Sequence, residues 1–157
     1  MNKTIALVLG AMLLGTPKID ATTMIGKSSI TLKSDLMSPE ALWAMGRIGT
    51  AAVSPDGKQV VYQVSYYSVK ENKSHTVLYI QSTKAGKAIV KPVLLTSSQK
   101  SESDPSWIEG GKKIAFLRDG QLWKMNADGT ERAKLSDSKI DIEGYKFSPD
   151  GKKVVII

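Results

Sequence analysis

Val53-Ser54-Pro55-Asp56-Gly57-Lys58-Gln59-Val60-Val61-Tyr62 returns near the end of the chain as Phe147-Ser148-Pro149-Asp150-Gly151-Lys152-Lys153-Val154-Val155-Ile156. A weaker copy lies between them, Trp107-Ile108-Glu109-Gly110-Gly111-Lys112-Lys113-Ile114-Ala115-Phe116. In each copy an apolar residue leads into a tight turn, and a lysine leads out into a β-branched, apolar strand. Proline presets φ at the first corner of such a turn, aspartate suits the second, and glycine takes the left-handed conformation that lets the chain fold back. Ser-Pro-Asp-Gly-Lys therefore predicts a hairpin loop, and its recurrence predicts a repeat.

The spacing locates the repeat. Gly111 to Gly151 is 40 residues, whereas Gly57 to Gly111 is 54, a difference of 14. Val60 to Leu78 is 18 where Ile114 to Leu122 is 8, and Tyr79 to Leu95 is 16 where Trp123 to Leu135 is 12. The excesses of 10 and 4 fall around Ser68 to Ser74 and Lys84 to Lys91, which read as longer loops on a constant frame. Leu95 to Trp107 and Leu135 to Phe147 agree without adjustment, both at 12. In the complete second unit the strands read as Pro105 to Ile108, Lys113 to Arg118, Gln121 to Asn126 and Arg132 to Ser136. Asp119-Gly120 and Ala127-Asp128-Gly129-Thr130 supply the turns. Four short antiparallel strands recurring at about 40 residues are the signature of a β-propeller blade. The expected fold is thus all-β, a partial propeller of about two and a half four-stranded blades over residues 51–157. Helical solenoids are disfavoured, because Gly and Pro turns recur too often and no 3.6-residue period is present.

Ahead of the blades, residues 38–46 read as a short helix: Ser38 caps it, Pro39 suits the first helical position, Glu40 favours the positive end of the dipole, and Gly46 stops it. Leu42 and Met45 share a face expected to pack on the propeller edge. Residues 22–37 are rich in Ser, Thr and Lys and read as a flexible lead-in. Lys3 precedes the apolar run Ile5 to Leu14, about half the length needed to cross a bilayer, and Gly15, Thr16 and Pro17 follow. Residues 1–21 therefore read as an export signal, and the mature chain is expected to be periplasmic or secreted. With no cysteine in the chain, a lipid anchor on that residue is excluded, as are disulfides, thiolate metal sites and cysteine nucleophiles. The formal charge is +7, but acids and bases alternate along the chain, as in Lys70-Glu71 and Glu131-Arg132. That mixture lacks the basic stripe nucleic-acid binding needs, and no nucleic-acid partner is expected.

No catalytic, cofactor-binding or metal-ligating residue is assigned. His75, the one histidine, falls in the longer loop of the first unit and reads as an ordinary exposed residue. Gly26-Lys27-Ser28 imitates the end of a phosphate-binding loop, but Ala21 stands where the first glycine belongs. Asn126 and Asp128 near Gly129 hint at calcium, yet the terminal glutamate of such a loop is missing and a hairpin turn accounts for both. Tyr62, Tyr66, Tyr67 and Tyr79 alternate on strands and are expected to pack between sheets rather than line a peptide-binding surface. Lys112-Lys113 and Lys152-Lys153 read as solvated hairpin edges.

The order of an export signal, Met37-Ser38-Pro39-Glu40-Ala41-Leu42-Trp43, Arg47-Ile48 and Val53-Ser54-Pro55-Asp56-Gly57-Lys58 resembles the start of secreted serine peptidases of the prolyl oligopeptidase family. The nearest likeness is to the bacterial dipeptidyl-peptidase and acylaminoacyl-peptidase branch. Gln121-Leu122-Trp123-Lys124-Met125-Asn126-Ala127-Asp128-Gly129-Thr130-Glu131 is similar to a blade hairpin of that branch. Ser-Pro-Asp-Gly-Lys also occurs in TolB-like propellers, whereas the capped helix running into the first blade is more particular to the peptidases. The resemblance implies a propeller that limits access to an α/β-hydrolase domain bearing Ser, Asp and His, admitting short peptides. This chain holds no Gly-x-Ser-x-Gly elbow. It is therefore expected to be the front portion of a longer exopeptidase, inactive alone, with short peptides as partners of the parent enzyme. The alternative is a TolB-like module that binds other envelope proteins without catalysis.

Overall fold

In a computed structural model of the protein, residues 25–31, 35–84, 91–96 and 98–157 are described. The export-signal reading of residues 1–21 and the loop residues 85–90 lie outside them. A six-residue helix, α1 (Pro39–Ala44), precedes two four-stranded antiparallel sheets and a hairpin. The first sheet runs β1 (Arg47–Val53), β2 (Gln59–Ser68), β3 (Lys73–Ser82) and β4 (Val93–Leu94) in spatial order. The second runs β5 (Glu102–Ile108), β6 (Lys113–Arg118), β7 (Gln121–Asn126) and β8 (Ala133–Lys134), and β9 (Tyr145–Phe147) pairs with β10 (Val154–Ile156). These are two blades and the start of a third, the architecture the repeat predicts. Among the described residues no helix is long and apolar enough to cross a membrane.

The two Ser-Pro-Asp-Gly turns are the same object built twice. Ser54 Oγ donates to Asp56 Oδ1 at 2.6 Å and Ser148 Oγ donates to Asp150 Oδ1 at 2.6 Å. The backbone N–H groups of Gln59 and Lys153 donate back to those serine oxygens at 3.0 and 2.9 Å, and Gly57 and Gly151 sit at φ 71° and 70°. Asp56 and Asp150 are held below the usual carboxylate range by these serine and backbone donors. The middle copy, lacking Ser, Pro and Asp, closes differently: Glu109, Gly110 and Gly111 form a 3₁₀ turn, all three at positive φ. A Cβ on Gly111 would come within 2.9 Å of Pro55 Cδ, so the first blade's turn occupies the space that a side chain there needs.

The longer first unit is not mainly a longer loop. β2 and β3 each hold ten residues where β6 and β7 hold six, and the turn at 69–72 has two more residues than Asp119-Gly120. Of the ten extra residues, eight thus extend a ladder that pairs continuously from Gln59↔Ser82 to Ser68↔Lys73, and two lengthen the turn. Two other boundaries move. β5 starts at Glu102 rather than Pro105, through a bulge at Asp104, and β8 is confined to Ala133–Lys134. At the helix, Ser38 Oγ accepts from Ala41 N at 3.2 Å, as a cap should. The helix ends because Met45 turns extended. Gly46 is required for a different reason than stopping it: a Cβ there would lie 2.7 Å from the Tyr66 ring and 2.8 Å from Val64. Leu42 and Met45, expected to pack, are about half exposed, and Ala41 is the buried residue.

Strand alternation gives each sheet two apolar faces. Val61, Leu78 and Ile80 of the first blade meet Ile114, Phe116 and Met125 of the second with Leu95. The second blade's opposite face, Ala115, Leu117 and Leu122, meets Ile142, Tyr145 and Phe147 of the third unit. Directional contacts fix how the sheets align. The Trp107 indole donates to Ala52 O at 2.9 Å. Gln63 Oε1 accepts from Asp104 N at 2.7 Å, and Tyr145 Oη donates to Asp104 O at 2.6 Å, so the β5 bulge is gripped from both neighbouring units. Glu102, fully buried, pairs with Arg132 and accepts from Thr96 Oγ1 at 3.0 Å, while Arg132 Nη2 donates to Leu95 O at 2.6 Å. Removing one partner of a buried ion pair strands the other, so Glu102→Ala is expected to cost about 3–5 kcal/mol. Ser54→Ala, which removes two local hydrogen bonds, is expected to cost about 1–2 kcal/mol. Urea midpoints at unchanged slope check both and their order.

Candidate functional site

The first blade's face away from the second blade carries an apolar groove. Cross-strand pairs place Tyr62 opposite Tyr79, Val64 opposite Val77 and Tyr66 opposite His75, all on this face. Tyr62 and Tyr79 stack at 5.8 Å and 22°, and the Tyr66 and Tyr79 hydroxyls lie 3.1 Å apart. Val64, Tyr66 and Val77 form a buried cluster against which Ile25 packs. Ala41 and Ala44 from α1, Met45 just after it, Ile48 from β1 and the stretch Lys27 to Ile30 close a groove of about 950 Å³ over these rings. Burial, then the hydrogen bond from Tyr79, pushes the Tyr66 hydroxyl up to about 12.

The tyrosines therefore divide rather than forming one core between sheets. Tyr66 is buried, Tyr62 and Tyr79 are half-buried walls of the groove, and their cover is the helix and residues 25–30. Tyr67 alternates to the opposite face, where its ring meets Trp43 edge to face at 5.6 Å. Arg47 lies over both rings, 4.8 Å from the centre of Trp43 and 4.7 Å from that of Tyr67. Trp43 and Tyr67 wall two smaller hollows, of about 630 and 350 Å³. Sequence reasoning missed this trio. Arg47 and Tyr67 come from different strands and Trp43 from the helix, and only the register Arg47↔Ser65 brings them together.

His75 is not a loop residue. It sits in β3, only 4% exposed, and neither ring nitrogen has a hydrogen-bond partner. Asn126 and Asp128 do not converge outward. Asp128 Oδ1 accepts from Thr130 N and Oγ1 at 2.9 and 2.6 Å, and Asn126 Nδ2 donates to Thr130 Oγ1 at 3.0 Å, all inside the turn. Gly26-Lys27-Ser28 lies in a stretch, residues 25–31, without regular secondary structure. Glu109 draws Lys124 at 3.1 Å and Lys113 at 3.9 Å, which holds its carboxyl below the usual range. Among the described residues no three His, Asp or Glu side chains are placed to hold a metal.

No family model matches the chain. Among solved structures, the acylaminoacyl peptidase of Pyrococcus horikoshii superposes on 73% of this chain and 17% of its own at a TM-score of 0.56 and 19% identity, a likeness of fold. Fold and repeat together are those of the N-terminal propeller portion of such peptidases. In sequence the chain is 37% identical to dipeptidyl-peptidase 5 of Porphyromonas endodontalis over 99% of its own length and 23% of that protein. It is 36% identical to dipeptidyl-peptidase 5 of Porphyromonas gingivalis over 99% of its length and 22% of that protein. The chain thus spans under a quarter of the length of these relatives.

The raised Tyr66 value carries a pH prediction. A hydroxyl whose folded pKa lies above the unfolded value of about 10 stabilises the fold fully below that pH, and the contribution is lost as pH rises toward the folded value. Stability is therefore expected to fall between about pH 10 and 12. Tyr66→Phe is expected to make that limb shallower, the remainder belonging to Tyr62 and Tyr145, whose hydroxyls burial also pushes up, read from urea midpoints taken alongside phenolate absorbance. An unchanged limb in the variant would assign the loss to other groups.

Proposed function

We propose that this chain is the N-terminal propeller portion of a secreted serine exopeptidase that hydrolyses short peptides, of dipeptidyl- or acylaminoacyl-peptidase type. The observation that carries the reading is the 37% identity to a dipeptidyl-peptidase over 99% of the chain, at 23% of that protein's length. In this reading the blades contribute no nucleophile. They wall off a downstream Ser-His-Asp site and admit only peptides narrow enough to pass. The apolar run Ile5 to Leu14 behind Lys3 supports export to the periplasm or beyond.

Reading the coding sequence beyond Ile157 tests the assignment. Further blades followed by a Gly-x-Ser-x-Gly elbow are expected, whereas blades followed by a stop would favour a TolB-like binding module. The pure 157-residue chain is expected to release no chromophore from dipeptidyl or acyl-amino-acid substrates. Robust turnover would place the chemistry within these residues and sink the proposal.

A further inference from the structure

We draw no further inference here: the strongest candidate, the apolar groove on the first blade's outer face between α1 and the stacked pair Tyr62 and Tyr79, carries none because nothing in the structure shows what covers it.

Discussion

A four-stranded antiparallel sheet of short strands has two apolar faces and covers neither by itself. Everything else in this molecule follows from that. Because side chains alternate, every second residue of β6 looks toward the first blade, and Ile114 and Phe116 are fully buried there. The intervening residues, Ala115 and Leu117, are buried toward the third unit. A slip of one residue would exchange the two sets. The turn chemistry is thus a packing device: Ser54 and Ser148 fix where β2 and β10 begin, and so which residues point to which neighbour.

Burial alone does not align one blade with the next, since apolar contact is non-directional. The alignment comes from polar groups that cross between sheets sharing no backbone ladder. Trp107 reaches Ala52, Gln63 reaches Asp104, and Arg132 reaches Leu95 while paired with Glu102. The β5 bulge matters here because it breaks the ladder between Ser103 and Ser106, freeing Asp104 N and O for side chains of both neighbouring units. Tyr145 is held neutral by the same burial that makes it a donor at this point, its hydroxyl pushed above its ordinary value.

The features legible in the sequence are those encoded by neighbours along the chain. The hairpin turns, the strands Lys113–Arg118 and Gln121–Asn126, and the cap at Ser38 are all set by residues within a few positions of one another. The insertion in the first unit was legible as a number and misplaced as a structure. Ser68 to Ser74 is polar, which suggests loop, but polar residues also suit a ladder exposed on one side, and Ser65 and Thr76 join across it at 2.8 Å. His75 was misplaced by the same inference. Once that stretch is strand, its partner is Tyr66 and it falls on the covered face. Propensity gave the class of the segment, and pairing decided it.

The trio of Trp43, Arg47 and Tyr67 shows why an arrangement of this kind escapes sequence reading. Trp43 belongs to a helix, Arg47 to the first strand and Tyr67 to the second, and nothing periodic links them. They meet because Gly46, lacking a side chain, lets the chain leaving α1 press onto Val64 and Tyr66, which swings the helix over the extended end of the hairpin. The four extra residues in each of β2 and β3 are what place Tyr67 beyond the frame shared with the second blade, in reach of Trp43. The lengthening of one hairpin and the absence of one Cβ therefore create together a feature that the second blade, with its shorter strands and no helix before it, has no means to form.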